Sequence, residues 1–152
     1  PIYLFKFINI HPATDNTQFS FNLTTDGTNF NVTKTTTHFS SYHDEGDSSA
    51  AIGYDVGQDL AQGTGEAILY GSASSDNDHG GSGEIYLFNP SSTTFIKNFI
   101  TRNCRVHKEN YVGDNYIAGY GNTASAITGC RFKMSSGNID SGTIKLYGIK
   151  DS

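Results

Sequence analysis

Apolar and polar positions alternate with a period of two along most of this chain, beginning in its first residues. In "YLFKFINI", Tyr3, Phe5 and Phe7 share one face while Leu4, Lys6 and Ile8 share the other, and "HPATDN" with Pro12 and Asp15 ends the run. Leu4, Ile8 and Ile10 oppose an aromatic face, so this first strand is expected to be buried on both sides. "QFSFNL" sets Phe19, Phe21 and Leu23 against Gln18, Ser20 and Asn22, the period of a strand buried on one side only. Asp26-Gly27 follows, a dipeptide suited to a tight hairpin turn, and predicts a first hairpin. "TKTTTHFSSYH" has the β-branched and aromatic content of a strand, whereas "DEGDSSAAIGYDVGQDLAQGTG" has the small and polar content of a long loop or short helical turn. Further strands are expected at "GEAILYG", "GEIYLFN", "TTFIKNFITRN", "NYIAGY", "AITGCRFKMSS" and "GTIKLYGI", about nine in all at the usual strand length. The last places Ile144 and Leu146 on one side and Lys145 and Tyr147 on the other, which predicts a core strand in which Leu146→Asp abolishes folding.

Composition agrees with this pattern. Charged residues make up 16% of 152 residues, and 17 Gly accompany 12% aromatics, a balance that favours short strands and many turns over long salt-bridged helices. One domain over 1–152 is expected, an all-β, jelly-roll-like β-sandwich of two packed sheets. "GEAILY", "GEIYLF" and "GTIKLY" resemble one another, but no regular spacing accompanies them, so a propeller or solenoid is not supported.

Charge narrows the partners. Ten Lys and Arg stand against fifteen Asp and Glu, a net charge of −5, and no basic run is present to neutralise phosphates, which disfavours nucleic acid. No apolar run approaches the ~18 to 20 residues that span a bilayer, so membrane insertion is not expected. The chain starts at Pro1 and its single Met is Met134, the pattern of a mature or trimmed domain. Cys104 and Cys130 are too few for a disulfide scaffold; Cys130 alternates with Phe132 and Met134, which favours free, half-buried thiols over a bridge.

Candidate chemistry is sparse. His43, Asp44, Glu45 and Asp47 form an acidic cluster, but without the spacing of a calcium loop, and a solvated turn explains them. Asp76, Asn77, Asp78 and His79 precede paired glycines and read as a loop tip. Asp55, Asp59, Glu66, Glu84 and Glu109 are the carboxylates a glycosidase could draw on, and none lies in a catalytic motif. No "GxSxG" elbow or phosphate loop is present, and the histidines at 11, 38, 43, 79 and 107 stand in ordinary contexts. No catalytic, cofactor or metal residue is therefore assigned. Asn22-Leu-Thr24 and Asn31-Val-Thr33 match the glycan-acceptor pattern, with Asn22 on the polar strand face. Nine Tyr and ten Phe without Trp leave a lectin-like role open.

Several segments, "YLFKFINIHPATDNTQFSFNL", "HDEGD", "DLAQGT", "GEIYLFNPSSTTFIKNF" and "IAGYGNTASAITGCRFKMSSGNIDSGTIKLYGI", carry a resemblance covering nearly the whole chain. They resemble a module of tailed-bacteriophage, often marine, tail-fibre and other virion structural proteins. The Asn89 to Thr94 turn and the closing strand are its most specific parts. The resemblance implies a C-terminal β-sandwich of a virion protein, commonly oligomeric, without catalytic residues. The expected function is thus a non-enzymatic fibre or capsid/tail surface decoration, assembled in the host cytoplasm and exposed on the particle. Its partners would be further copies of itself, other virion proteins and a host-surface glycan. The alternative is a carbohydrate-binding module.

Overall fold

Twelve strands and no helix make up residues 1–150, the part of the chain described by a computed structural model. They are β1 (Ile2–Pro12), β2 (Thr17–Thr24), β3 (Lys34–Thr36), β4 (Phe39–Asp44), β5 (Ala50–Tyr54), β6 (Leu60–Gly63), β7 (Ala67–Ala73), β8 (Gly81–Phe88), β9 (Lys97–Val106), β10 (Tyr111–Gly121), β11 (Gly129–Met134) and β12 (Ile139–Ile149). All pair antiparallel in two sheets. The large sheet runs β12-β1-β8-β9-β10-β3-β6, with β4 on a separate stretch of β10 and β5 beyond it. The small one is β11-β2-β7. The expected sandwich is therefore present, with three strands facing a sheet of nine.

One apolar core joins the sheets. Phe19, Phe21 and Leu23 of β2 reach down from the small sheet, as their alternation predicts, and meet Phe7, Ile85, Leu87, Phe99 and Ile117 of the large one. Phe7 meets Phe19 edge to face at 5.1 Å, and Phe21 meets Phe99 in the same way at 4.9 Å. Each such ring contributes about 1.5–3 kcal/mol by leaving water, and the edge-to-face geometry adds somewhat more.

Several expectations change. The segment expected as a loop or helical turn carries two strands between its turns: β5 forms a hairpin with β4 on β10, and β6 edges the sheet through β3. Asp26-Gly27 is a turn but joins no hairpin. Asp26 Oδ1 accepts the Thr28 and Asn29 amides at 2.8 and 2.7 Å, and the chain then passes from β2 in one sheet to β3 in the other. These bonds hold the Asp26 carboxyl well below its usual pKa, the Asn29 side chain contributing most.

Asn22, expected on a wet polar face, is 1% exposed. Its amide donates to the carbonyls of Phe30 and Thr64, and its oxygen accepts from the ammonium of buried Lys34 at 2.5 Å. A glycan cannot be added at a side chain so enclosed, whereas Asn31 is exposed. Polar residues on β2 can be covered because Lys34 and neighbouring carbonyls supply partners for them. Burial lowers the Lys34 pKa to about 8.

The remaining differences lie at β1 and β12. β1 is paired on both edges, by β12 and β8, yet its face carrying Leu4 and Ile8 is not covered, and Ile8 is exposed, whereas Ile10, beyond the register slip after Phe7, is buried in the core. β12 pairs only β1, and Leu146 is 56% exposed, so it is not a core position. The register explains this. Leu146 lies opposite Phe5 and Ile144 opposite Phe7, so both point to the inner side, but they extend past β11, the last strand of the small sheet. Gly142, at φ +121°, sits at the bulge where the β1–β12 register slips between Ile8 and His11; a Cβ there would press on the backbone of Asn9 and Ile10.

Candidate functional site

β9 carries the signal that locates the site. Its inward residues run Lys97, Phe99, Thr101, Asn103, Arg105, and His107 follows in the same alternation, all buried. After Phe99 the series is polar, and there the core gives way to a hydrogen-bonded interior. Thr101 donates to the Glu84 carbonyl at 2.6 Å and receives the Asn103 amide at 2.6 Å; Asn115 Nδ2 donates to the Asn103 carbonyl at 3.3 Å. Buried His38 sits 3.3 Å from Asn115 Oδ1.

Beyond this network opens a cavity of about 460 Å³ between β2 and β7 on one side and β4, β5, β9 and β10 on the other. Arg105 lies at its base, 9% exposed, its Nε donating to the Gly71 carbonyl at 2.6 Å. The guanidinium fits because Arg105 lies opposite Gly113 in register, and a Cβ on Gly113 would collide with it. One wall is aromatic. His107 stacks on Tyr111 at 3.8 Å, and Tyr111 lies 5.1 Å from Tyr42. His107 Nδ1 accepts the Glu109 amide at 3.1 Å, and burial, with help from Arg105, lowers its pKa to about 4. It is neutral at pH 7, which leaves Nε2 as the donor. Asp55 and Gln58 complete the polar lining; Asp55 accepts from Ser40 at 2.7 Å.

The residues singled out from the sequence are scattered. Asp55 alone among the five carboxylates lines this cavity. Asp59 accepts from Tyr54 at 2.7 Å, Glu66 pairs with Arg131, Glu84 with Lys6, and Glu109 with Lys108. Asp44 organises its own turn by accepting the Ser48 and Ser49 amides, while His43 and Asp47 meet on the surface. His79 lies between Asp76 and Asp78 at 3.7 and 3.8 Å, and its carbonyl meets His11. Among the described residues, no three His, Cys, Asp or Glu side chains gather as metal ligands. Cys104 and Cys130 are free thiols on different sheets, and burial raises the Cys130 thiol to about 12.

A second feature is the outer face of the large sheet. Tyr147, Leu4, Tyr86 and Ile100 align across four strands, and Lys145, Lys6, Glu84, Arg102, Tyr116 and Phe39 form the next row. Tyr116 stacks on Phe39 at 4.9 Å, and the Arg102 guanidinium lies over the Tyr116 ring while bonding Asp114 at 2.7 Å. A groove of about 290 Å³ runs beside Tyr86, Ile100 and Phe39. A sheet face turned to water is ordinarily polar; this one sets an aromatic and aliphatic row beside a row of paired charges.

Fold and site define a class: an antiparallel two-sheet β domain with a polar pocket opening between the sheets and an outer face that mixes apolar and charged rows. Compared with family models, curated proteins and solved structures, the chain matches none.

Proposed function

We propose that this chain is a non-enzymatic bacteriophage virion domain, a fibre or surface decoration of capsid or tail, that acts by associating with further copies of itself. The carrying observation is the apolar, unpaired edge strand β12 of the large sheet. Ile144, Leu146, Tyr147 and Ile149 are all exposed on a strand paired along one edge only. A long, apolar, unpaired edge is a template for another strand.

A second copy is the occupant that β12 itself fits. A two-fold axis through Leu146 sets Ile144 against Gly148 and Lys145 against Tyr147, so no like charges oppose and the Lys145 ammonium meets an aromatic ring. The Arg102, Tyr116 and Phe39 cluster is the type of preorganised Arg and Tyr anchor that dominates protein interfaces. The resemblance to virion modules supports the same reading and favours a position on the particle exterior.

Light scattering after size-exclusion chromatography, with electron microscopy of the same fractions, tests it. A concentration-dependent oligomer is expected, and Leu146→Asp gives a folded monomer. Monodisperse wild-type monomers at high concentration defeat the proposal.

A carbohydrate-binding module is the second reading, favoured by the cavity at Arg105. Its Tyr and His wall suits the C–H face of a sugar ring, and Asp55 and Gln58 suit its hydroxyls.

A further inference from the structure

The Arg105 guanidinium presents a chemical requirement that the protein itself does not meet. It is nine-tenths buried, yet only Nε is hydrogen-bonded, and no described carboxylate lies close enough to form an ion pair with it. Asp55 acts on it only as a more distant charge in the same cavity. The terminal nitrogens of Arg105 are not fully enclosed but open to the cavity, where no close opposite charge offsets the burial of the rest of the group. Gly113 serves this placement, for a side chain there would occupy the guanidinium's position. The two terminal nitrogens are therefore left as a planar fork of donors at the base of a roughly ring-sized space.

Other groups around the fork narrow the ligand. The Gln58 amide oxygen is buried without a partner and lines the cavity, where a ligand hydroxyl can donate to it. The neutral His107 ring offers an Nε2 donor beside Arg105, and stacked Tyr111 and Tyr42 supply an apolar wall. A phosphate would satisfy the guanidinium alone. A carboxylate attached to a hydroxylated ring satisfies the fork, the amide oxygen, Asp55 and the aromatic wall together.

We infer that this cavity is a binding site for an acidic saccharide residue, its carboxylate held by Arg105 and its ring laid against Tyr111 and Tyr42. The inference rests on the carbohydrate-binding reading and adds the ligand's class and orientation.

The test uses the wild-type chain, isotopically labelled, with the Arg105 Nε–H and the Tyr111 and Tyr42 ring signals followed by NMR. Glucuronate, glucose, acetate and inorganic phosphate are titrated separately. Glucuronate is expected to shift all three residues with an affinity about tenfold or more above glucose, the contribution of a charge-assisted bidentate contact. Acetate and phosphate are expected to move Arg105 weakly and leave the rings unchanged. Arg105→Lys, which keeps the charge but not the fork, should reduce glucuronate affinity toward that of glucose, and its melting curve checks folding.

Equal affinity for glucose and glucuronate overturns the inference while leaving the carbohydrate-binding reading in place. Shifts as large with acetate or phosphate as with glucuronate overturn it in favour of a general anion site. No shift with either sugar removes both readings. Because the decisive comparison uses wild-type protein, a variant that fails to fold does not rescue the inference.

Discussion

His107 is 6% exposed, stacked on Tyr111, and its folded pKa of about 4 lies well under the ordinary histidine value. The unfolded chain takes up that proton near pH 6.5 and the folded chain only near 4, so acid favours unfolding between those values. Stability is full above the unfolded pKa and falls by roughly 3 kcal/mol as pH drops through this window. His38, also lowered by burial, acts in the same direction, whereas Asp44 and Asp114, held below the usual carboxylate value by Ser48 and Arg102, act only at lower pH. Melting temperature measured across this range should fall with acid, and His107→Gln should flatten the curve. A wild-type profile that is level from pH 6.5 to 4 would contradict it. At the same scale, Phe21→Ala opens the centre of the core and is expected to cost about 3–5 kcal/mol in chemical denaturation. Leu146→Asp, on an exposed strand, should cost the monomer about 1 kcal/mol or less. Hydrophobicity alone makes the two positions look alike.

Strands β9 and β10 show how a pattern within an element prepares a site. The period-two sequence of β9 makes Phe99, Thr101, Asn103 and Arg105 share a face, and the change from apolar to polar along it is legible in the residues themselves. That this polar run is interior rather than a wet strand end is not legible there, since it depends on Gly71, Asn115 and His38 arriving from elsewhere in the chain with partners. Gly113 is another such case. In the sequence it is one glycine among many; in register it is the neighbour whose missing side chain admits the Arg105 guanidinium. Gly113→Ala should therefore displace Arg105 and cost about 1–3 kcal/mol, read from the denaturation midpoint together with a shifted Arg105 Nε–H resonance. An unchanged resonance would show that the guanidinium does not depend on this gap.

The whole molecule is an unequal sandwich, and its surface follows from that inequality. Three strands cannot cover nine, so apolar residues at the rim of the large sheet remain on the outside although they point inward. A domain that pairs through that rim should melt at a temperature that rises with protein concentration, because association stabilises the folded form by mass action. A concentration-independent melting temperature, in a chain shown to be folded, would count against assembly through β12.

The sequence by itself determined that the chain is all-β, where most strands run, and which residues of β2 form the core, because period-two alternation and turn chemistry act over a few residues. Only the tertiary structure decided that Asn22 is enclosed, that Leu146 is uncovered, and that Arg105 stands unpaired beneath Tyr111 and Tyr42. Those outcomes depend on the width of the opposing sheet and on which distant strands become neighbours. Alternation assigns a side to each side chain, and what lies on that side is set by partners far away in the chain.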